Sequence, residues 1–409
     1  MNNKFFLITL ILFIGIIFRL ALTENGNFLF NMDSARDFVD VREMVELKKL
    51  RLTGPTTAIE GFFTGPFWYY LLAIPFMLSG GHPYGAIVME MILWAIGGFF
   101  LLKLVSKWSN LLILPVGAIW VASNHIVLAN LYSFNPTPVM FLTPVFIYLL
   151  TEYLTKGKAI YIILTWILGG LFFNFEMNFG VFVPLIILIS LILTGRFRQL
   201  AGKWFWVGAG CFIIFLLPQV IFDFKHQFIM TKAILRHISE NSDTASDLPA
   251  RFQAIYTSFY NTFLPTLFNN KYLAWVVLGL LVPASFEFWR KGKKDIPALV
   301  SIVYIFIPFL GYLVLPVTVN PWHLGGEMAA SLILIAFLLK RLLEGRVISK
   351  ISAAVLSGVI IWLGIVNIGN FFLIDRNKPN LNPSLLKHEI AAIDYVYRKA
   401  EGKNFKVYA

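Results

Sequence analysis

Eleven stretches of this chain are apolar over the length of a bilayer crossing, and that constraint leaves few folds open to it. An α-helix needs about 17 to 25 apolar residues to cross roughly 30 Å of hydrocarbon. The sequence supplies such runs at 4–22, 84–102, 110–131, 137–154, 158–175, 178–194, 204–222, 272–289, 296–316, 325–342 and 351–374. In lipid each backbone N–H and C=O must be satisfied within its own segment, so the runs are expected to be helices in a bundle. The fold class is therefore an all-α polytopic membrane protein. Only 14% of the 409 residues are charged, against about 25% in soluble domains. The net charge of +12 sits in small groups of Lys and Arg between apolar runs. That is the pattern of cytoplasmic membrane loops rather than of a nucleic-acid surface, so nucleic acid is not an expected partner. Cys211 is the single cysteine, which leaves no intrachain disulfide and no cysteine metal site.

Topology follows from where the basic groups fall. Phe5 to Leu22 lacks a small-residue cleavage site and contains Arg19, so it is expected to be an uncleaved first span. The apolar stretch Gly65 to Gly80 is short and aromatic. If it lies in the outer interface or re-enters, Lys103/Lys107, Lys156/Lys158, Arg196/Arg198/Lys203, Arg290 to Lys294 and Lys340 to Lys350 all become cytoplasmic. Three segments then face outward: 23–83, 223–271 and the tail from 375. The expected organisation is a transmembrane domain over 1–374 and an external segment over 375–409. In that tail K-P-N-L-N-P reads as a linker, Leu385 to Ala400 as a helix and N-F-K-V-Y-A as a strand, the start of a small α/β domain cut short here.

The polar run Asn31 to Leu50 stands out against this background. Phe38, Val41, Met44, Val45 and Leu47 fall on one side of a helix, with Arg36, Asp37, Asp40 and Glu43 mostly elsewhere, which predicts an amphipathic helix on the membrane surface. By spacing alone Asp33 is an N-cap and the charges are a solvated face.

A resemblance adds a function to these residues. The run D-S-A-R-D-F-V-D-V-R-E-M at 33–44 resembles the first-external-loop signature of the GT-C superfamily, in particular its protein O-mannosyltransferase-like and lipid A aminoarabinose transferase-like enzymes. That signature is an Asp, an Arg three residues on and an Arg-Glu-Met after nine, matched here by Asp33, Arg36, Arg42, Glu43 and Met44. The resemblance implies a GT-C-like bundle with amphipathic juxtamembrane helices, and it makes Asp33 the catalytic carboxylate. G-F-F-T-G-P-F-W-Y-Y-L-L at 61–72 is similar to the family's Pro-Pro-Leu-x-Tyr segment, which places Tyr69 at the substrate cavity. F-D-F-K-H-Q-F at 222–228 resembles a motif of bacterial members. Three positions depart from the family pattern. Ser34 stands where many members have a second acid, so a second catalytic carboxylate falls to Asp37. Thr64 and Gly65 replace a Lys before the Pro pair of the aminoarabinose transferases, and Asn135 in S-F-N-P-T-P replaces an Asp.

The implied reaction moves a sugar from a polyprenyl-phosphate donor to a hydroxyl on a glycan, lipid or protein, at the outer face of the plasma (inner) membrane. The lipid phosphate is already a leaving group, so no nucleotide and no other cofactor is required. A carboxylate near the anomeric carbon accepts the acceptor's proton and stabilises the positive charge growing on the ring. The departing phosphate needs cations near the membrane surface. Lys225 and His226 fit that place, with Arg36 and Arg251 as secondary candidates, although interfacial snorkelling or contact with lipid headgroups accounts for each as well. Glu176, in F-N-F-E-M-N-F, is expected in the substrate cavity or in a structural hydrogen bond, because ionisable groups at membrane depth face cavities or partners. His323 and Glu327, in N-P-W-H-L-G-G-E-M, are candidates for the same cavity. No pair of His and acidic residues has metal-ligand spacing; a divalent cation held by Asp33 and Asp37 is the one option, used by oligosaccharyltransferase relatives. Two other functions compete. A transporter or flippase of lipid-linked sugars would show inverted repeats and helices broken at mid-bilayer, and a polysaccharide ligase would use a late external loop such as 223–271, with Lys225, His226, Arg236, His237 and Arg251.

Overall fold

The computed structural model describes residues 3–240, 248–290, 295–315, 318–377 and 382–404, with the side chains of 285–290 and 374–377 left aside. Among the described residues there are eighteen α-helices and no strand, only isolated bridges. In chain order they are α1 (Asn3–Thr23), α2 (Met32–Glu46), α3 (Phe67–Leu78), α4 (Tyr84–Val105), α5 (Ile113–Ala122), α6 (Asn124–Asn130), α7 (Thr137–Lys156), α8 (Ala159–Phe175) and α9 (Met177–Gly180). There follow α10 (Val183–Leu193), α11 (Lys203–Lys225), α12 (Ile229–Glu240), α13 (Leu248–Thr266), α14 (Lys271–Arg290), α15 (Ile296–Val314), α16 (Gly325–Leu343), α17 (Val347–Asn377) and α18 (Leu386–Ala400). The chain is an integral membrane protein: α1, α4, α7, α11, α15, α16 and α17 are each long and apolar enough to cross a bilayer.

Among the described residues these seven, or nine if each bent pair (α5 with α6 by 51°, α13 with α14 by 113°) is one span, meet the length and composition of a crossing, against the eleven runs expected from the sequence. The runs at 158–175 and 178–194 form shorter apolar helices, separated at Glu176, whose backbone is extended. Apolar content measures the length of a run but not its straightness. The stretch 65–80 yields only the 12 residues of α3, about 18 Å at 1.5 Å per residue, too short to cross as a single helix.

One break is built from residues visible in the sequence. At Ser123 the backbone turns extended (φ −58°, ψ 133°) and the last carbonyls of α5 lose their helical donors. Arg19, fully buried on α1, donates to the carbonyls of Trp120 (3.4 Å) and Val121 (3.2 Å), bonds Asn130, and lies 3.7 Å from the Trp94 ring. Asn367 on α17 donates to the Ala122 carbonyl at 2.6 Å. The arginine that looked like an interruption of the first span therefore satisfies the bend in another. Close packing of α4 on α7 depends on Gly97, where a Cβ would sit 1.8 Å from the Phe141 carbonyl oxygen.

The bundle has two chemically distinct ends. The 20 residues of α7 cover about 30 Å. At its C-terminal end Lys107 and Lys156 bond the buried Glu152. Nearby, Lys340 pairs with Asp295 at 2.5 Å and lies over the Trp108 ring. The N-terminal end of α7, at Ser133 to Pro136, meets α2 instead, where Ser34 Oγ donates to the Ser133 carbonyl at 3.2 Å. Of the basic group Arg290 to Lys294, residues 291–294 and the Arg290 side chain lie outside the description. The expected strand at 404–409 also falls outside the described residues, apart from Asn404. The expected tail helix is α18, and the residue before it, Leu385, bridges Leu29, tying the tail to the segment that leads into α2.

Candidate active site

Asn31, not Asp33, caps α2: its side chain accepts the Ser34 N–H at 3.1 Å. Asp33 stands in the first turn with no capping task, and acidic residues there are favoured by the helix dipole. The apolar face of α2 is buried within the protein. Phe38, Val41 and Met44 are buried and the helix packs on α3, while Leu47 is exposed. Asp37 shares the buried face, which the polar assignment did not anticipate. Its carboxylate accepts from the Trp68 indole N–H at 2.7 Å and from Arg36 Nη2 at 2.9 Å and Nε at 3.0 Å. Arg36 then reaches Asp33 through Nη1 at 3.1 Å and Thr56 Oγ1 at 3.3 Å. A buried aspartate thus holds the arginine, and the arginine holds the exposed aspartate. Burial pushes the Asp37 carboxyl up to about 6, against the opposing charge of Arg36 and the Trp68 hydrogen bond.

Asp33 and Arg36 open onto a cavity of about 380 Å³. One wall is the turn-rich segment 54–64, which contributes Thr56, Thr57, Ala58, Ile59, Phe62 and Thr64. This segment is closed by the Thr56–Phe63 bridge and seated on α8 through Gly65, where a Cβ would fall 1.6 Å from Asn174 Oδ1. Another wall is Phe134, Asn135 and Pro136 ahead of α7. The far side carries Glu176 to Asn178 and the turn Asn320 to His323, and His237 of α12 completes it. Glu176 accepts the Asn178 N–H at 3.1 Å, so it starts α9 as well as facing the cavity. Burial pushes its carboxyl up to about 7, with the Asn178 amides opposing. The Asn178 amide lies 3.2 Å from His323 Nε2.

Four of the transferase candidates meet here, Asp33, Arg36, Glu176 and His323, together with His237 of the ligase alternative. The other transferase candidates do not line the cavity. Tyr69 is buried behind Asp37, donating to Asp40 at 2.7 Å, and so supports α2 rather than touching the cavity. Glu327 is buried one helical turn beyond His323 and does not line the cavity. Arg251 donates to the carbonyls of Tyr312 (2.5 Å), Leu313 (3.1 Å) and Leu315, closing the C-terminal end of α15. Lys225 and His226 are exposed at the end of α11. There the motif around them makes a turn: Gln227 and Phe228 have positive φ, Asp223 accepts from Met230 N at 2.7 Å, and His226 stacks on Phe222. An end-of-helix cation beside an aspartate looks in sequence like an anion site, whereas the carboxylate is used to start the next helix. The double variant Lys225→Ala/His226→Ala should keep transfer activity within about twofold, as expected of exposed positions away from a site, measured as initial rate per folded protein.

Trp322, Phe134, Asn178 and Asn320 were not anticipated as cavity residues. The signal available for them was N-P-W-H, a helix-start turn with an aromatic beside a histidine. A divalent cation shared by Asp33 and Asp37 does not fit, because the guanidinium of Arg36 already lies between their carboxylates.

No protein-family model and no curated protein matches the sequence. Among solved structures, ArnT from Cupriavidus metallidurans, determined bound to undecaprenyl phosphate, superposes with a TM-score of 0.54 over 93% of this chain and 74% of that one, at 13% identity. The chain has a GT-C fold. The cavity is framed by α2, the 54–64 segment and the residues that lead into α7, α9 and α16.

Proposed function

We propose that this chain is a glycosyltransferase that moves a sugar from a polyprenyl-phosphate donor to an acceptor hydroxyl, at the outer face of the inner membrane. The observation that carries the reading is the Asp33–Arg36 pair, 3.1 Å apart on the wall of a cavity in a GT-C fold. Two further features support it. The GT-C neighbour binds undecaprenyl phosphate, and the cavity lies at the bundle end opposite Lys107, Lys156 and Lys340, which the positive-inside rule makes the outer end.

In this reading the acceptor oxygen forms a bond to the anomeric carbon as the bond from that carbon to the phosphate oxygen breaks. The proton passes to Asp33, and the electron pair leaves with the lipid phosphate. Arg36 has the charge to meet that phosphate, and Asp37 holds it by two hydrogen bonds so that little reorganisation is needed during the reaction.

Purified protein in lipid vesicles, supplied with a panel of polyprenyl-phosphate sugars and no sugar nucleotide, should release polyprenyl phosphate and glycosylate an added acceptor. If the lipid-linked sugar instead crosses the bilayer intact, the chain is a flippase and the transferase reading is wrong.

A further inference from the structure

One wall of the cavity is aromatic. Trp322 lines it and leaves 46% of its surface exposed. Its ring stands edge-on to Phe134, with centroids 6.2 Å apart and planes at 76°. Phe134 in turn stacks on Tyr132 at 4.9 Å and 19°. Around these rings the wall is polar but almost without fixed charge: Asn135, Asn178, Asn320 and the His323 imidazole, with Glu176 at its edge. Aromatic faces beside side-chain amides are what a ring with one C–H face and several equatorial hydroxyls requires. Building on the donor reading above, we infer that Phe134 and Trp322 form the platform of a subsite for an uncharged pyranose, with Asn178 and His323 reading its hydroxyls.

The platform is held in register with Asp33. Tyr132 Oη bonds Asn31, the cap of α2, at 2.9 Å from the amide nitrogen. The Leu29 N–H donates to the Leu131 carbonyl at 2.8 Å, and Ser34 Oγ to the Ser133 carbonyl. Three contacts within six residues therefore tie the segment bearing Phe134 to the start of the helix bearing Asp33. A sugar stacked on Phe134 has its position relative to the carboxylate set by these bonds rather than by loop motion.

The polar part is equally constrained. His323 Nδ1 accepts the Asn320 N–H at 3.3 Å in a reciprocal cap. On the other side of the ring Nε2 lies 3.2 Å from Asn178 Nδ2, so His323 is fixed through Asn320 and in turn places the Asn178 amide at the cavity wall. Charge selects the class. Among the described residues Arg36 is the one guanidinium or ammonium group on the cavity wall, and in the donor reading it is committed to the phosphate. A uronic acid would bring a further carboxylate to a wall that already carries Asp33 and Glu176, with the imidazoles of His237 and His323 as its other titratable groups.

Three probes test this on the full-length protein in nanodiscs: polyprenyl phosphate, glucosyl polyprenyl phosphate and glucuronosyl polyprenyl phosphate, with affinity measured for wild type, Trp322→Ala and Trp322→Phe. Exposure of Trp322 means that its removal should leave the fold intact. Trp322→Ala should weaken the glucosyl lipid about tenfold, the size of one lost stacking contact, and leave polyprenyl phosphate unchanged. Trp322→Phe should restore most of that affinity, and wild type should bind the glucuronosyl lipid at least about tenfold more weakly than the glucosyl lipid. An equal loss for sugar-bearing and sugar-free lipid, no loss at all, or equal affinity for the two sugars would overturn the subsite while leaving the donor reading standing. Failure of wild type to bind any of the three lipids would overturn the donor reading and the subsite with it.

Discussion

An Asp33→Asn variant should transfer sugar about 10²- to 10⁴-fold more slowly than wild type, the loss expected when a general base is removed. The fold should survive the change. Asp33 is not the cap of α2, its side chain is 39% exposed, and its ion pair is with Arg36. Exposed pairs of this kind contribute at most about 1 kcal/mol. Asparagine keeps the shape and can still accept from Arg36, but it cannot take a proton or stabilise a cationic ring. The loss should therefore appear in kcat, with KM little altered. The check is initial rate per mole of monodisperse protein, and wild-type rates in Asp33→Asn would remove Asp33 from the chemistry.

Asp37→Ala should destabilise the protein by about 2–3 kcal/mol and also slow transfer. Most of the cost comes from the Trp68 indole N–H, which lies in a fully buried side chain and would lose its acceptor; an unsatisfied buried donor costs about 1–3 kcal/mol. Arg36 adds less, because a third of its side chain is exposed and water can replace one partner. Transfer should slow because Arg36 loses the group that aims it. Asp37→Asn separates the two effects: it retains an acceptor for Trp68 but not the charge, so stability should largely return while transfer stays impaired. Asp37 also carries a pH signature. Its folded-state value of about 6 is above that of an unfolded aspartate, about 3.9, so the folded chain holds the proton more tightly. The resulting stabilisation is full below about pH 4 and is lost as pH rises through 6. Thermal unfolding in detergent should therefore show wild type losing stability relative to Asp37→Asn between pH 4 and 6.5; parallel curves would mean that Asp37 ionises normally.

Positions 33 to 44 show how far pattern reading reached at the site. The Asp33/Arg36 register placed two residues on the cavity, and Glu176 and His323 joined them because charged or titratable groups at the ends of apolar runs need a cavity or a partner. Asp37, Tyr69, Arg251, Lys225 and His226 went elsewhere for a shared reason. Each is a polar group near a helix end or on a helix face, and such groups serve backbone and side-chain partners as often as they serve ligands. Which of these happens depends on what packs opposite: the Trp68 indole for Asp37, the carbonyl end of α15 for Arg251, the next helix start for the turn after Lys225.

Hydropathy by itself determined that this chain crosses a membrane repeatedly as helices, since the missing backbone partners in hydrocarbon permit nothing else to a sequence so apolar. It also set the two ends of the bundle apart, because short basic groups such as Lys103/Lys107, Lys156/Lys158 and Lys340 to Lys350 fall at one end of the runs. Only the tertiary structure decided how many of those runs are straight, since a bend at Ser123 is tolerated only with the Arg19 guanidinium brought to it from another helix. Only the tertiary structure assembled the cavity, from segments near 33, 56, 135, 177 and 322 that no local spacing relates. Their convergence follows from helix packing, through contacts such as Gly97 on Phe141 and Gly65 on Asn174, and those contacts depend on pairs of residues far apart in the chain.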